Sequence, residues 1–231
     1  MSNQVEKATK FETTTGEVTL TPTTVKNYLV NGQGNVTDQE VMMFIGLCKA
    51  NKLNPFNRDA YLIKYGSQPA STILSKDVFF RRAIGNPNYN GMKSGIIVLD
   101  KDNQIVKRDG AIYVKSLGEQ VIGAWCEVFR KDWTNSVYQE VNFDEYSGKK
   151  SDGNLNANWS GKPAVMITKV AEATALRKAF TDELQQLYID EEIRDDEPIK
   201  FSDVSSNENL EATKEAFADI LDVDSEVIEN D

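Results

Sequence analysis

Large apolar residues are scarce over residues 1–22, which are rich in Thr, Lys and Glu, and this stretch is predicted to be a flexible N-terminal arm. The run from Val25 to Val30 is apolar enough for a short helix or strand, and Asn31-Gly32-Gln33-Gly34-Asn35 then reads as a loop. Thr37 with Glu40 three positions later is a capping-box pattern, and Val41, Phe44, Ile45 and Cys48 follow at helical spacing. A helix is therefore predicted over residues 37–51. Leu53-Asn54-Pro55-Phe56-Asn57 ends it, because proline disfavours helical geometry in the residue before it. Two apolar runs, Ala60-Tyr61-Leu62-Ile63 and Ser71-Thr72-Ile73-Leu74, flank Gly66-Ser67-Gln68-Pro69 and predict a β-hairpin. Ser75 is placed to cap a second helix over 76–84, which Gly85-Asn86-Pro87 terminates.

From Gly95 onward the pattern changes to short strand-like runs at 96–99, 105–106, 111–114, 120–130 and 137–143. Turn chemistry at Asp100-Lys101-Asp102-Asn103 and Ser116-Leu117-Gly118-Glu119 separates them and implies an antiparallel meander. Residues 147–158, rich in Gly, Ser, Asn and Lys, read as a surface loop. The longest helical pattern follows over 163–192, with Val165, Met166, Val170, Ala173, Ala175, Leu176, Ala179 and Phe180 as its apolar stripe. Residues 194–207 read as an acidic linker, and 209–221 as a short amphipathic helix carrying Leu210, Phe217, Ile220 and Leu221. No internal repeat is visible. The expected fold class is α+β: a small antiparallel sheet of about three to five strands packed by helices. A long helix follows the sheet, and the C-terminal tail is expected to be acidic and largely disordered.

Charge alters this picture once it is divided along the chain. The formal net charge of −10 is the sum of a body over 1–181 at +5 and a last segment over 182–231 at −15. Acidity is thus a property of the tail, and phosphate binding by the body stays open. The 231 residues contain no histidine, which removes Ser-His-Asp and Cys-His nucleophile systems and His-ligated zinc. Cys48 and Cys126 each sit in an apolar run and read as buried free thiols, suited to a reducing cytoplasm. No stretch approaches a membrane span, and Met1 to Glu12 is too polar for a signal peptide. Cytoplasmic location is expected.

No Gly-rich phosphate loop is present, so nucleotide hydrolysis is not expected, and no cofactor is called for. Asp100/Asp102 and Glu140/Asp144/Glu145 are the acidic groups that a metal-dependent nuclease would use, but they read better as a turn and a solvated strand end. Neither a catalytic nor a metal site is expected. The cations are more informative. Lys162, Lys169 and Arg177 are spaced by seven and eight residues and share one helix face within about 80 degrees. Lys76, Arg81 and Arg82 flank Phe79 and Phe80, and Arg130-Lys131 ends a strand near Trp133. Cations interleaved with aromatics are the components of a single-strand binding groove. The alternative is solvated charge around core aromatics.

Four blocks then carry a resemblance. They are the run from Asn54 to Tyr61 (Asn-Pro-Phe-Asn-Arg-Asp-Ala-Tyr), the run from Ser75 to Arg82 with Asn90-Gly91-Met92, the run from Cys126 to Asp132, and the run from Trp159 to Met166 leading to Lys169 and on to Ala175-Leu176-Arg177-Lys178-Ala179-Phe180. In this order and spacing, spanning about residues 37–190, the chain resembles the Bet/RecT family of phage single-strand DNA annealing proteins. The resemblance implies a protein that is not an enzyme in the bond-making sense and pairs complementary strands without ATP. It also implies a homo-oligomeric ring or helical filament and the single strand and annealed duplex intermediate as ligands. A phage exonuclease that generates the strand is the implied partner, with the host single-strand binding protein as a further candidate. The setting would be a bacterial cell, with the chain encoded by a phage or prophage. Carried over by position, Lys162, Lys169, Arg177, Arg130 and Lys131 are the expected phosphate contacts, with Lys76, Arg81, Arg82 and Lys115 behind them. Trp159 matches the family's tryptophan and serves either base stacking or the loop-to-helix junction. The resulting organisation is an arm over 1–22, a DNA-binding, annealing and oligomerisation domain over 23–193, and the acidic tail over 194–231. The tail departs from the best-known members by being short and very acidic; it could compete with DNA for the cations, dock a partner through its apolar face, or be merely solvated. The alternatives to annealing are a single-strand binding protein that protects without pairing and a metal-dependent nuclease.

Overall fold

The computed structural model describes residues 8–150, 152–184, 187–189 and 192. The fold is α+β, as the pattern predicts, and the described chain divides into two compact units that meet in sequence between Leu74 and Ser75. The stretch 23–193, expected as one domain, is thus built from parts of both. The expected acidic tail over 194–231, including its short helix, lies outside the described residues.

In the first unit residues 9–20, expected within a loose arm, form paired strands. β1 (Thr9–Thr13) and β2 (Gly16–Leu20) form an antiparallel hairpin in which Phe11 pairs with Val18, and Phe11, Val18 and Leu20 are buried. Three alternating apolar residues among β-branched threonines suffice for the pairing, a signal too sparse for composition to reveal. Thr21 caps α1 (Pro22–Tyr28), which resolves the apolar run after Val25 as helix followed by strand. β3 (Val30–Gly32) replaces the first half of the expected loop. It pairs in parallel with β4 (Ala60–Lys64), which pairs antiparallel with β5 (Ser71–Leu74), so this sheet is mixed rather than purely antiparallel.

Between β3 and β4 runs α2 (Asp38–Ala50), with the capping box in place: Thr37 Oγ1 accepts the Glu40 N–H at 3.2 Å, and Glu40 Oε2 accepts the Thr37 N–H at 2.7 Å. Val41, Phe44, Ile45 and Cys48 are the buried stripe that was predicted. Glu40 does more than cap. Its carboxylate also takes the Lys64 ammonium at 2.7 Å and the Ala70 N–H at 2.8 Å, tying α2 to β4 and the loop before β5. Burial pushes the Glu40 carboxyl up, but the Lys64 ammonium and the Thr37 and Ala70 donors outweigh it and bring it down to about 2.

The second unit opens with α3 (Lys76–Gly85), capped by Ser75 as expected. Its sheet comprises β6 (Tyr89–Leu99), β7 (Ile105–Asp109), β8 (Gln120–Arg130) and β9 (Val137–Asn142), antiparallel throughout. The strand count fits the expectation, but the order is β7-β6-β8-β9 rather than that of a simple meander. β6 and β8, the two longest strands, lie in the middle. Residues 111–114, expected as a strand, are irregular instead: after Asp109 the chain makes only the single bridge between Gly110 and Gly95. The sheet coils strongly. A Cβ on Gly95 would lie 1.8 Å from the Arg108 carbonyl oxygen, and one on Gly123 would lie 2.5 Å from that of Val141, so glycine is needed where the backbones approach. Across the face they open, Lys107 on β7 reaches Tyr138 Oη at 2.9 Å and the Glu140 carboxylate on β9.

On the other face lies α6 (Pro163–Ala179), packed against β8, β9 and β6. Its buried alanines at 164, 171, 173, 175 and 179 allow a close approach to the sheet. α6 does not run on to residue 192. Phe180, fully buried, leaves helical geometry at φ −131° and ψ 60°, and the short α7 (Thr181–Leu184) restarts beyond it. Burying a phenylalanine is worth about 1.5–3 kcal/mol, enough to offset the roughly 0.5–1.5 kcal/mol of a helical hydrogen bond given up. The expected surface loop over 147–158 holds the start of α5 (Ala157–Gly161), following the single turn α4 (Phe143–Tyr146). Trp159 on α5 is 3% exposed and meets the Phe143 ring edge-on at 5.4 Å. It is therefore a core anchor at the loop-to-helix junction. Both cysteines are free and buried, and burial pushes both thiols up, that of Cys126 to about 12.

Candidate nucleic-acid interface

Most of the cations singled out in the sequence belong to one neighbourhood of the second unit, formed by α3, the end of β8 and α6 from Lys169 to its C-terminal end. Lys76 starts α3, and its ammonium lies 3.0 Å from the Glu172 carboxylate on α6, which also accepts from Ser94 Oγ at 2.8 Å. Arg81 is exposed on the same helix, and Arg82 Nη1 donates to the Glu183 carbonyl at 2.8 Å. Lys131 is exposed just beyond β8, and its ammonium donates to the Pro87 carbonyl at 2.9 Å. Lys169 lies half-buried on α6.

The two arginines that end this neighbourhood are held far more tightly than the lysines. The Arg130 guanidinium forks onto Asp132 at 2.9 and 2.7 Å, and its third nitrogen caps α6 by donating to the Ala179 carbonyl at 2.5 Å. Trp133 and Phe180 cover it, with ring centroids at 4.6 and 4.9 Å. Arg177 donates through Nε to the Leu187 carbonyl at 2.9 Å and pairs through Nη2 with Glu192. Its guanidinium sits 4.5 Å from the Tyr188 ring and 5.7 Å from that of Phe79. Glu192, only 6% exposed at its side chain, also accepts from Thr174 Oγ1 at 3.2 Å and the Ile189 N–H at 3.1 Å. Both arginines thus fasten the chain after α6.

Two of the sequence-derived residues are not brought to this neighbourhood. Lys162 joins α5 to α6 and lies at the N-terminal end of a helix about 25 Å long, exposed and without a side-chain hydrogen bond or ion pair among the described residues. Lys115 begins a 3-10 turn (Lys115–Leu117) before β8, whose other end carries Arg130. A further cation escaped the sequence reading: Lys93, exposed on β6 with its ammonium 6.0 Å from the centre of the Phe129 ring. The alternation of Lys93 with Met92 and Ser94 along β6 was the available signal, hidden because the strand was placed too late. Two of the acidic groups considered for metal, Asp100 and Glu140, serve structure. Asp100 closes its turn by accepting the Asp102 and Gln104 N–H groups at 2.9 and 2.8 Å, and Glu140 is engaged by Lys107 and Tyr138. Among the described residues no cluster of three or more Cys, Asp or Glu could hold a metal ion, and no helix is long and apolar enough to cross a membrane.

An α+β scaffold that gathers lysines and arginines beside aromatic rings has the make-up of a nucleic-acid binding protein. The family comparison makes this specific: the RecT family model matches residues 15–204, and the chain belongs to that family. The chain is also 27% identical over 189 residues to the uncharacterized protein UU154 of Ureaplasma parvum serovar 3, covering 80% of this chain and 75% of that protein. At the level of the family, the work is single-strand DNA binding and annealing in recombination, by proteins that anneal strands rather than act as classical enzymes.

Proposed function

We propose that this protein pairs complementary single strands without ATP, as a homo-oligomeric ring or filament that holds DNA by its phosphate backbone. The observation that carries this reading is the grouping of Lys76, Arg81, Arg82, Arg130, Lys131, Lys169 and Arg177 along α6 from Lys169 to its C-terminal end in a chain of the RecT family. Lys162 and Lys115 extend the contacts. Two strands repel through their phosphates, and each phosphate neutralised by a cation contributes roughly −0.7 to the salt slope on single strands. A few lysines per subunit give weak, salt-sensitive binding, and many subunits along one strand raise it by multivalency. The exposed lysines make the direct contacts. Arg130 and Arg177 shape the site, and Arg177 meets phosphate when Glu192 gives way.

The annealed duplex intermediate is bound in preference to either strand, since the second strand completes contacts the first leaves unused. The single strand is supplied by a phage exonuclease, in the bacterial cytoplasm, in competition with the host single-strand binding protein. Complementary oligonucleotides mixed with the protein in EDTA without nucleotide test the reading. Accelerated pairing supports it. Binding without pairing would make this a protective protein, and cleavage that requires metal would make it a nuclease; either result overturns it.

A further inference from the structure

The Asn54-Pro55-Phe56-Asn57-Arg58 block, part of the resemblance but given no role by it, has a geometry that packing does not explain. Only three described residues other than glycine have positive φ: Lys52 at 50°, Arg58 at 59° and Asn103 at 59°. Two of the three are cations, and they bracket this block. α2 ends in a Schellman motif, with the Leu53 N–H bonded to the Cys48 carbonyl at 2.9 Å and the Lys52 N–H to that of Lys49 at 3.2 Å. The residue after the cap in that motif is ordinarily glycine, because a Cβ is strained there; here it is Lys52. Arg58 ends the 3-10 turn Pro55–Asn57 in the same left-handed conformation. Glycine would be free of strain at both places.

Between the two cations the loop is built rigidly. Asn54 accepts the Phe56 N–H at 3.1 Å through its side chain, and its own N–H donates to Asp59 at 3.0 Å. The side-chain amides of Asn54 and Asn57 both donate to Thr15 Oγ1 at 3.0 Å. Leu53, Pro55 and Asp59 are buried beneath. None of this holds what the loop displays. Phe56 is 53% exposed and makes no ring contact, and the exposed side chains of Lys52 and Arg58 have no ion pair or hydrogen bond among the described residues. Elsewhere in this unit Lys10, Lys26 and Lys64 are each paired with an acid.

We propose that Lys52, Phe56 and Arg58 form a single-strand contact in the first unit, with Phe56 stacked on an unpaired base and the two cations on the flanking phosphates. Every base has a face on which an aromatic ring can stack, so such a contact takes strands of any sequence, as annealing requires. The rigid loop keeps the three groups presented before the strand arrives. This assignment rests on the annealing function proposed above and adds a base-directed contact to its phosphate-directed ones.

The test uses the full-length protein, a dT oligonucleotide and an abasic oligonucleotide of the same length, with affinity measured by fluorescence anisotropy over a range of salt. Phe56→Ala weakens dT binding about tenfold and leaves abasic binding unchanged. The double variant Lys52→Gly/Arg58→Gly makes the salt slope shallower by about 1.4, at roughly 0.7 per phosphate, and melts no lower than the parent because glycine suits both positions. An unchanged dT-to-abasic ratio in Phe56→Ala overturns the assignment, as does an unchanged slope or a lowered melting temperature in the glycine variant. A parent protein that anneals while these variants match it sinks this inference alone. A parent that binds no oligonucleotide sinks the annealing function too.

Discussion

Two half-buried ion pairs, one in each unit, use similar components for different ends. Lys64 and Glu40 join elements far apart in sequence, and each carboxylate oxygen also accepts a backbone N–H, so the pair substitutes for hydrogen bonds that α2 and the β4–β5 loop would lack. Arg177 and Glu192 instead join α6 to a segment just past its end, with the guanidinium between two aromatic rings and one carbonyl. The first pair lies among backbone donors; the second lies among cations proposed to meet DNA. A charged residue therefore declares its role through what surrounds it. The sequence pattern marks Arg177 as a candidate contact and gives Lys64 no role, yet both are fasteners in the structure.

The comparison is broken most severely by removing one partner of the first pair. Lys64→Met leaves the Glu40 carboxylate without its cation and is expected to cost about 3–5 kcal/mol in urea unfolding. A loss under 1 kcal/mol would mean that the backbone donors suffice alone. The pH dependence probes the same group without mutation. The Glu40 carboxyl is lower in the folded protein, at about 2, than its ordinary value of 4.5. The stabilisation is therefore complete above pH 4.5 and is lost as pH falls from there toward 2. It amounts to about 3 kcal/mol, taking roughly 1.4 kcal/mol per tenfold change in proton affinity. Glu40→Gln should flatten the denaturant midpoint over that window, and a variant as acid-sensitive as the parent would assign the effect elsewhere.

Arg177→Ala is expected to cost about 2 kcal/mol, because Glu192 stays buried without its cation, and to slow annealing as well. If annealing falls while unfolding is unchanged, Arg177 is a contact and not a fastener. The smallest effect sharpens the distinction most. Lys162→Ala should leave stability within about 0.5 kcal/mol and make the salt slope of single-strand binding shallower by roughly 0.7. Equal slopes for the variant and the parent would remove Lys162 from the interface.

Legibility followed range along the chain. The capping box at Thr37 and Glu40, the α3 cap at Ser75 and the β4–β5 hairpin were readable because every interaction that specifies them falls within a few residues. The hairpin over residues 9–20 was not, since its three apolar residues are too few to stand out in a Thr-rich stretch. Neither was the end of α6. Residues 163–192 keep a helical period, and only the burial of Phe180 and the Arg130 cap on Ala179 reveal the break. Among the candidate cations, the sequence could not sort bound from exposed, because Asp132, Glu172 and Glu192 reach their partners only after folding, Glu172 and Glu192 from other elements.

By itself the amino-acid sequence determined the α+β class, the helices that carry their own caps, the buried thiols and, through four ordered blocks, the family. Each of these depends on local periodicity or on residue order, which survive in one dimension. Tertiary structure alone decided the strand order β7-β6-β8-β9, the parallel pairing of β3 with β4, the place of Trp159 in the core and the exposure of Phe56 between two left-handed cations. Those outcomes depend on which distant surfaces exclude water together, and hydrophobic burial has no direction along the chain to be read in advance.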